Sequence, residues 1–109
     1  MWVEVLKIYA TIFRFCVIAI PIFITQTVFA SDAENGRGVY VARCAICHGE
    51  AGVNIMQEAP NFTRYEGLMK SDALLLESLS NGKNAMPAYY GILSDQEMMD
   101  VIAFLRTLN

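Results

Sequence analysis

Cys44-Ala45-Ile46-Cys47-His48 sets two thiols apart by two residues and follows the second directly with a histidine. Thiols at this spacing add across the two vinyl groups of a haem to form thioethers. The imidazole that follows then lies beneath the iron and supplies an axial nitrogen. The pentapeptide therefore reads as a c-type haem attachment site. Cys44 and Cys47 carry the group, His48 binds the metal, and one haem c is expected, covalently attached.

Upstream of this motif the chain changes character. Lys7 and Arg14 make a basic start, diluted by Glu4, and Phe15 to Ile24 is an unbroken apolar run. Thr25-Gln26-Thr27-Val28-Phe29-Ala30 is more polar, with Val28 and Ala30 at the small-residue positions a signal peptidase reads. Residues 1–30 are expected to be a secretory signal peptide, cut after Ala30. The uncharged stretch from Phe15 to Ala30 is 16 residues, shorter than the roughly 20 that span a bilayer. No stable membrane insertion is expected after cleavage, and the expected location is the periplasm. An uncleaved anchor is the alternative.

Residues 31–109 then form one domain of 79 residues. Trp2 and Cys16 leave with the leader, so Cys44 and Cys47 are the only cysteines of the domain. A domain of this size sits near the limit at which side chains alone make a core, and such scaffolds need a staple. A covalently held haem supplies the missing apolar mass. The domain has six basic residues (Arg37, Arg43, Arg64, Lys70, Lys83 and Arg106) against ten acidic ones, a net charge of −4. No basic stripe exists, which argues against nucleic acid. An acidic carrier is expected to dock on redox protein partners that present a basic patch.

The fold class is all-α. Ser31-Asp32-Ala33-Glu34 reads as a capping box opening a helix over about residues 32–44, with Gly36 and Tyr40 on one face. A loop with Gly49, Gly52, Asn54 and Pro60 follows His48. A second helix starts near Ser71-Asp72, carries Leu75 and Leu79 on one face, and stops at Asn81-Gly82. Ser94 with Glu97 caps the last helix, Leu93 and Met98 take the staple positions, and Val101, Ile102, Leu105 and Leu108 continue the apolar stripe. No segment alternates as a strand.

Rival uses of the cysteine pair fit less well. A zinc site wants four ligands, and the domain offers one pair and one histidine. A thioredoxin-like pair expects a βαβ context, and a disulfide across so short a loop adds little stability. His48 is the only histidine, so a sixth ligand must come from elsewhere. A methionine thioether is a soft ligand that favours ferrous iron. Met98 and Met99 belong to the last helix, and Met56 and Met69 read as gap fillers in connecting segments. Met86 stands in the loop Asn81-Gly82-Lys83-Asn84-Ala85-Met86-Pro87, stiffened by Pro87, and is the expected distal ligand.

This ordered set resembles the class I c-type cytochromes, of the small monohaem bacterial and algal kind, over residues 32–108. The shared pattern is Gly36 and Tyr40 before Cys44 to Gly49, then Pro60, then Asn81-Gly82-Lys83 to Met86-Pro87, then a capped helix bearing Phe104. The resemblance implies the cytochrome c fold, helices packed around one haem. It implies that the Pro60 carbonyl accepts the proton on the other ring nitrogen of His48. It also implies that Gly36, Tyr40 and Phe104 meet where the first and last helices cross. Tyr89-Tyr90 departs from the family's usual continuation, and either hydroxyl is placed to reach a haem propionate or simply to pack. With both axial positions filled, the expected function is one-electron transfer between redox partners and not enzymatic catalysis. Two alternatives are a haem sensor or ligand-binding subunit with a dissociable Met86, and a cytochrome subunit of a larger oxidoreductase.

Overall fold

Helix α1, Trp2–Ile18, begins the chain in the computed structural model, which describes residues 1–18 and 30–108 (backbone alone over 14–18). Its side chains through Phe13 are exposed, with Glu4 and Lys7 paired one turn apart at 3.0 Å. It takes in the start of the apolar run read as a signal peptide. The remainder of that run and the segment up to Phe29 lie outside the described residues. Among the described residues no helix is long and apolar enough to cross a membrane.

Asp32 opens the domain. Its carboxylate accepts the backbone N–H groups of Glu34 (2.9 Å) and Asn35 (3.2 Å) and so caps α2, Ala33–Arg43. The capping box expected from Ser31 is not formed. Asp32 is an equally strong cap one residue later, and its own N–H is drawn to the Asp100 carboxylate at 2.8 Å. A single turn, α3 (Ala45–His48), follows, then a long loop containing a 3₁₀ turn at Phe62–Arg64. Helix α4, Asp72–Asn81, is capped by Ser71 and ends at Gly82, as the sequence predicts. Helix α5, Asp95–Leu105, starts with a complete capping box: Ser94 accepts the Glu97 N–H while Glu97 accepts the Ser94 N–H. Two isolated bridges, Lys83 with Met86 and Tyr90 with Leu93, are the extended pairings among the described residues.

Helices α2 and α5 make the central crossing. Gly36 packs against the α5 backbone so closely that a Cβ there would lie 1.9 Å from the Asp100 carbonyl oxygen. One turn on, fully buried Tyr40 meets Phe104 with ring centroids 5.2 Å apart, a tilted pair. Leu68, Val101 and Leu105 complete the core, and Leu75 and Leu79 of α4 lean on it.

The crossing gives a stability prediction. Gly to Ala ordinarily gains up to about 1 kcal/mol of helix propensity. Here the added methyl has no space and backbone atoms must part, an overpacking cost of about 3 kcal/mol or more. Gly36→Ala is expected to lower the holoprotein's Tm by more than about 10 °C for a domain of this size, read by circular dichroism. Gly38→Ala is the control, since nothing lies within 4 Å of the added carbon.

Candidate functional site

A one-turn helix brings residues i, i+3 and i+4 onto one face, and here these are Cys44, the N-cap of α3, with Cys47 and His48 inside it. The N–H groups of Cys47 (3.1 Å) and His48 (3.0 Å) both bond the Cys44 carbonyl. Ile46 between them is exposed and also borders the cavity. Gly49 closes the turn at φ 74°, where a Cβ would fall 2.0 Å from the Val53 carbonyl oxygen. The buried Tyr40 hydroxyl donates to the Gly49 carbonyl at 2.7 Å, tying this turn to α2.

Cys44, Cys47 and His48 line one cavity of about 400 Å³, within the range that holds a molecule of cofactor size. Its walls include Leu75 and Leu79 of α4 and Val101, Ile102 and Leu105 of α5. His48 is buried, and its ring stacks on Phe62 at 4.6 Å with an interplanar angle of 16°. Nδ1 lies 3.4 Å from the Pro60 carbonyl oxygen, a long contact that orients the ring. Burial holds the His48 pKa below its ordinary value, partly opposed by the Pro60 carbonyl. A neutral ring that gives its Nδ1 proton to Pro60 leaves the Nε2 lone pair free for a metal.

Cys44 and Cys47 are free and half-buried. Burial pushes the Cys44 thiol up to about 11, with Cys47 adding to the rise and a hydrogen bond with the Tyr89 hydroxyl opposing it. Burial likewise pushes Tyr40 up to about 12, reinforced by Cys44.

Met86 lines the same cavity. A tight turn presents it: Lys83 and Met86 exchange backbone hydrogen bonds at 3.1 and 2.9 Å around Asn84, which takes a left-handed φ of 54°. Asparagine tolerates that conformation better than most residues. The segment beyond Pro87 is pinned to the end of α4, the Tyr89 and Tyr90 N–H groups donating to Leu79 (3.0 Å) and Ser80 (3.1 Å) carbonyls. Of the other methionines, Met69 is exposed, and Met98 is buried in α5 beside the Ser80 hydroxyl. Met56, read from sequence as a gap filler, also lines the cavity, carried there by its backbone bond to the Cys47 carbonyl. Tyr89 is buried, lines the cavity and donates to the Arg43 carbonyl at 3.1 Å, while Tyr90 is exposed.

Two residues here escaped sequence reasoning. Phe62 supplies the face against His48, and its only sequence signal is an aromatic two places after Pro60. Arg106 clamps the segment under the cavity, donating to the Leu68 and Lys70 carbonyls and pairing with Asp72 at 2.7 Å. Nothing periodic marks it.

Residues 31–105 match the family model described as "Cytochrome C oxidase, cbb3-type, subunit III". The chain is 34% identical to cytochrome c6 of Porphyra purpurea over 107 residues, covering 94% of this chain and 91% of that one. It is 36% identical to cytochrome c6 of Thermostichus vulcanus over 96 residues, covering 83% and 84%. The chain belongs to the class I c-type cytochromes. Cytochrome c6 of the diatom Phaeodactylum tricornutum has the same architecture, with a TM-score of 0.58 and 27% identity over 71% of this chain and 93% of that one. The expected all-α cytochrome c fold is therefore borne out. This cytochrome carries one covalently attached haem c and passes single electrons between redox partners; it is not an enzyme. The cavity fits that group: two free thiols and an imidazole stand on one face of a turn, against apolar walls.

Proposed function

We propose that Cys44 and Cys47 form the thioether bonds and that His48 and Met86 are the axial ligands, in a periplasmic carrier freed by cleavage after Ala30. The observation that carries this reading is the convergence of both thiols, the single imidazole and the Met86 thioether on one cavity. The bound haem supplies a ferric/ferrous couple. The chain's own residues do the rest. Pro60 and Phe62 hold the His48 ring in one orientation, and the Lys83–Met86 turn fixes where the sulfur is presented. Leu75, Leu79, Val101, Ile102 and Leu105 keep water from the cavity. Arg43, Lys70 and Lys83 stand at its rim against Glu58 alone, suited to face the carboxylates of the haem. The net charge of −4 over residues 31–109 favours partners with a basic docking patch.

A second reading has one observation in its favour: the matched family is described as an oxidase subunit. A stable complex that survives purification with this chain would favour the subunit over the free carrier. For the carrier, the purified holoprotein is expected to contain one haem per chain and to titrate as a single one-electron couple in potentiometry. Reduced protein is expected to bind CO poorly. Ready CO binding by the parent protein would instead support a haem sensor with a dissociable Met86.

A further inference from the structure

Asp100 is a carboxylate on α5 with 3% of its surface exposed. Among the described residues the ion pairs join Glu4 to Lys7, Glu34 to Arg37 and Asp72 to Arg106, and none includes Asp100. Its charge is met by dipoles: Oδ1 accepts the Asp32 N–H and the Gln96 amide, each at 2.8 Å, and Oδ2 accepts the Asn35 amide at 2.7 Å. Burial by itself would raise the Asp100 pKa, but the three bonds together outweigh it and hold the carboxyl below its ordinary value. The side chain stays an anion at neutral pH, buried without a cation.

We propose that Asp100 is the binding site for the chain's own N-terminal ammonium, created when the leader is cut from Ser31. This rests on the cleavage reading above. The Asp32 nitrogen already lies 2.8 Å from Oδ1, and covalent dimensions then keep the Ser31 nitrogen within about 6.5 Å of it whatever the torsions. Before cleavage that nitrogen is a neutral amide. After cleavage it is a cation tethered within that distance of a buried carboxylate, shorter than the roughly 8–10 Å over which salt screens exposed charges. Ala30 and Ser31 are both exposed, so the bond between them is accessible for cutting. Of the other charges, Asp32 at the N-cap and Glu34 in the first turn of α2 are carboxylates that act in the same sense, and Arg37 is engaged by Glu34. Further along the crossing, Glu97 of α5 is opposed by Arg43 at the far end of α2. Processing thus adds an electrostatic latch between the start of α2 and the middle of α5, across the crossing built on Gly36.

The test uses mature holoprotein. N-terminal sequencing comes first, and a terminus other than Ser31 overturns the cleavage reading and the latch with it. With Ser31 confirmed, the α-amino pKa is measured by pH-dependent labelling and mass spectrometry. It is expected about one unit above the ordinary value of roughly 7.7–8.0. A raised folded-state pKa means the added stability is fully present below the ordinary value and lost as pH rises through the folded one. The Tm should therefore fall by several degrees between about pH 8 and pH 9.5. Acetylating the α-amine selectively should lower Tm at pH 7 in the parent and have no such effect in Asp100→Asn. An α-amino group of ordinary pKa overturns the latch while leaving cleavage intact, as does equal sensitivity to acetylation in both proteins. Because the pKa is read on the parent, the outcome stands even if Asp100→Asn does not fold.

Discussion

The double variant Cys44→Ala/Cys47→Ala is expected to yield no covalent haem and no cooperatively folded domain. The reason is the size of what the haem fills. A domain of 79 residues has a total stability of about 4–12 kcal/mol at the usual 0.05–0.15 kcal/mol per residue. Without haem the apolar walls of this 400 Å³ cavity are left facing water at about 25 cal/mol per Å² of apolar surface, on the order of several kcal/mol. Collapse of the walls would recover part of this, but only by disturbing the packing of Leu75 and Leu79 of α4 against the core that includes Val101 and Leu105 of α5. The two quantities are comparable, and the empty domain is left with little or no margin. Each single variant retains one thioether and is expected to fold with haem at lower yield. Far-UV circular dichroism and denaturing gels stained for haem check both points. A double variant that melted cooperatively without haem would show that the polypeptide core suffices alone.

The same balance explains which parts of the molecule were legible in the sequence. Local signals were reliable: Ser71 and Ser94 cap the helices they precede, Gly82 ends α4, and Cys44, Cys47 and His48 share a face because one turn of helix requires it. The family pattern brought Gly36, Tyr40 and Phe104 together correctly. What failed or stayed hidden depends on partners far away in sequence. Ser31 lost the cap to Asp32, whose N–H is engaged by a residue 68 positions on. Arg106 finds its acceptors 34 to 38 residues earlier, and Tyr89 spends its hydroxyl on a carbonyl 46 residues before it. Such contacts follow from how α2, α4 and α5 close around the cavity, and no periodicity or cap signal announces them. Phe62 is intermediate: its place beside Pro60 puts it near His48, yet the stacking appears only once Gly52 accepts its N–H and turns the loop inward.

Met86→Ala is expected to remove the weak charge-transfer band that thioether ligation gives ferric haem toward the red end of the visible spectrum. The substitution should also lower the midpoint potential, because a soft sulfur stabilises ferrous iron selectively and its loss withdraws that preference. A coordination position left open should let the reduced variant bind CO, which the parent binds poorly. Stability should fall less than function does: Met86 is only half-buried, and the turn that presents it is held by the backbone of Lys83 and by the bonds of Tyr89 and Tyr90 to α4. The informative comparison is with the two other methionines of the loops. Met69 is exposed and away from the cavity, so Met69→Ala should leave band and potential unchanged. Met56 lines the cavity, and its backbone is bonded to Cys47, beside His48 in the same turn. Met56→Ala should keep the band and shift the potential only slightly, through altered packing. Potentiometric titration and ferric spectra of the three variants separate the assignments. Loss of the band in Met56→Ala with its retention in Met86→Ala would move the distal ligand to the wrong side of the loop for the present reading. Both losses confined to Met86→Ala are what a turn built to present one sulfur requires.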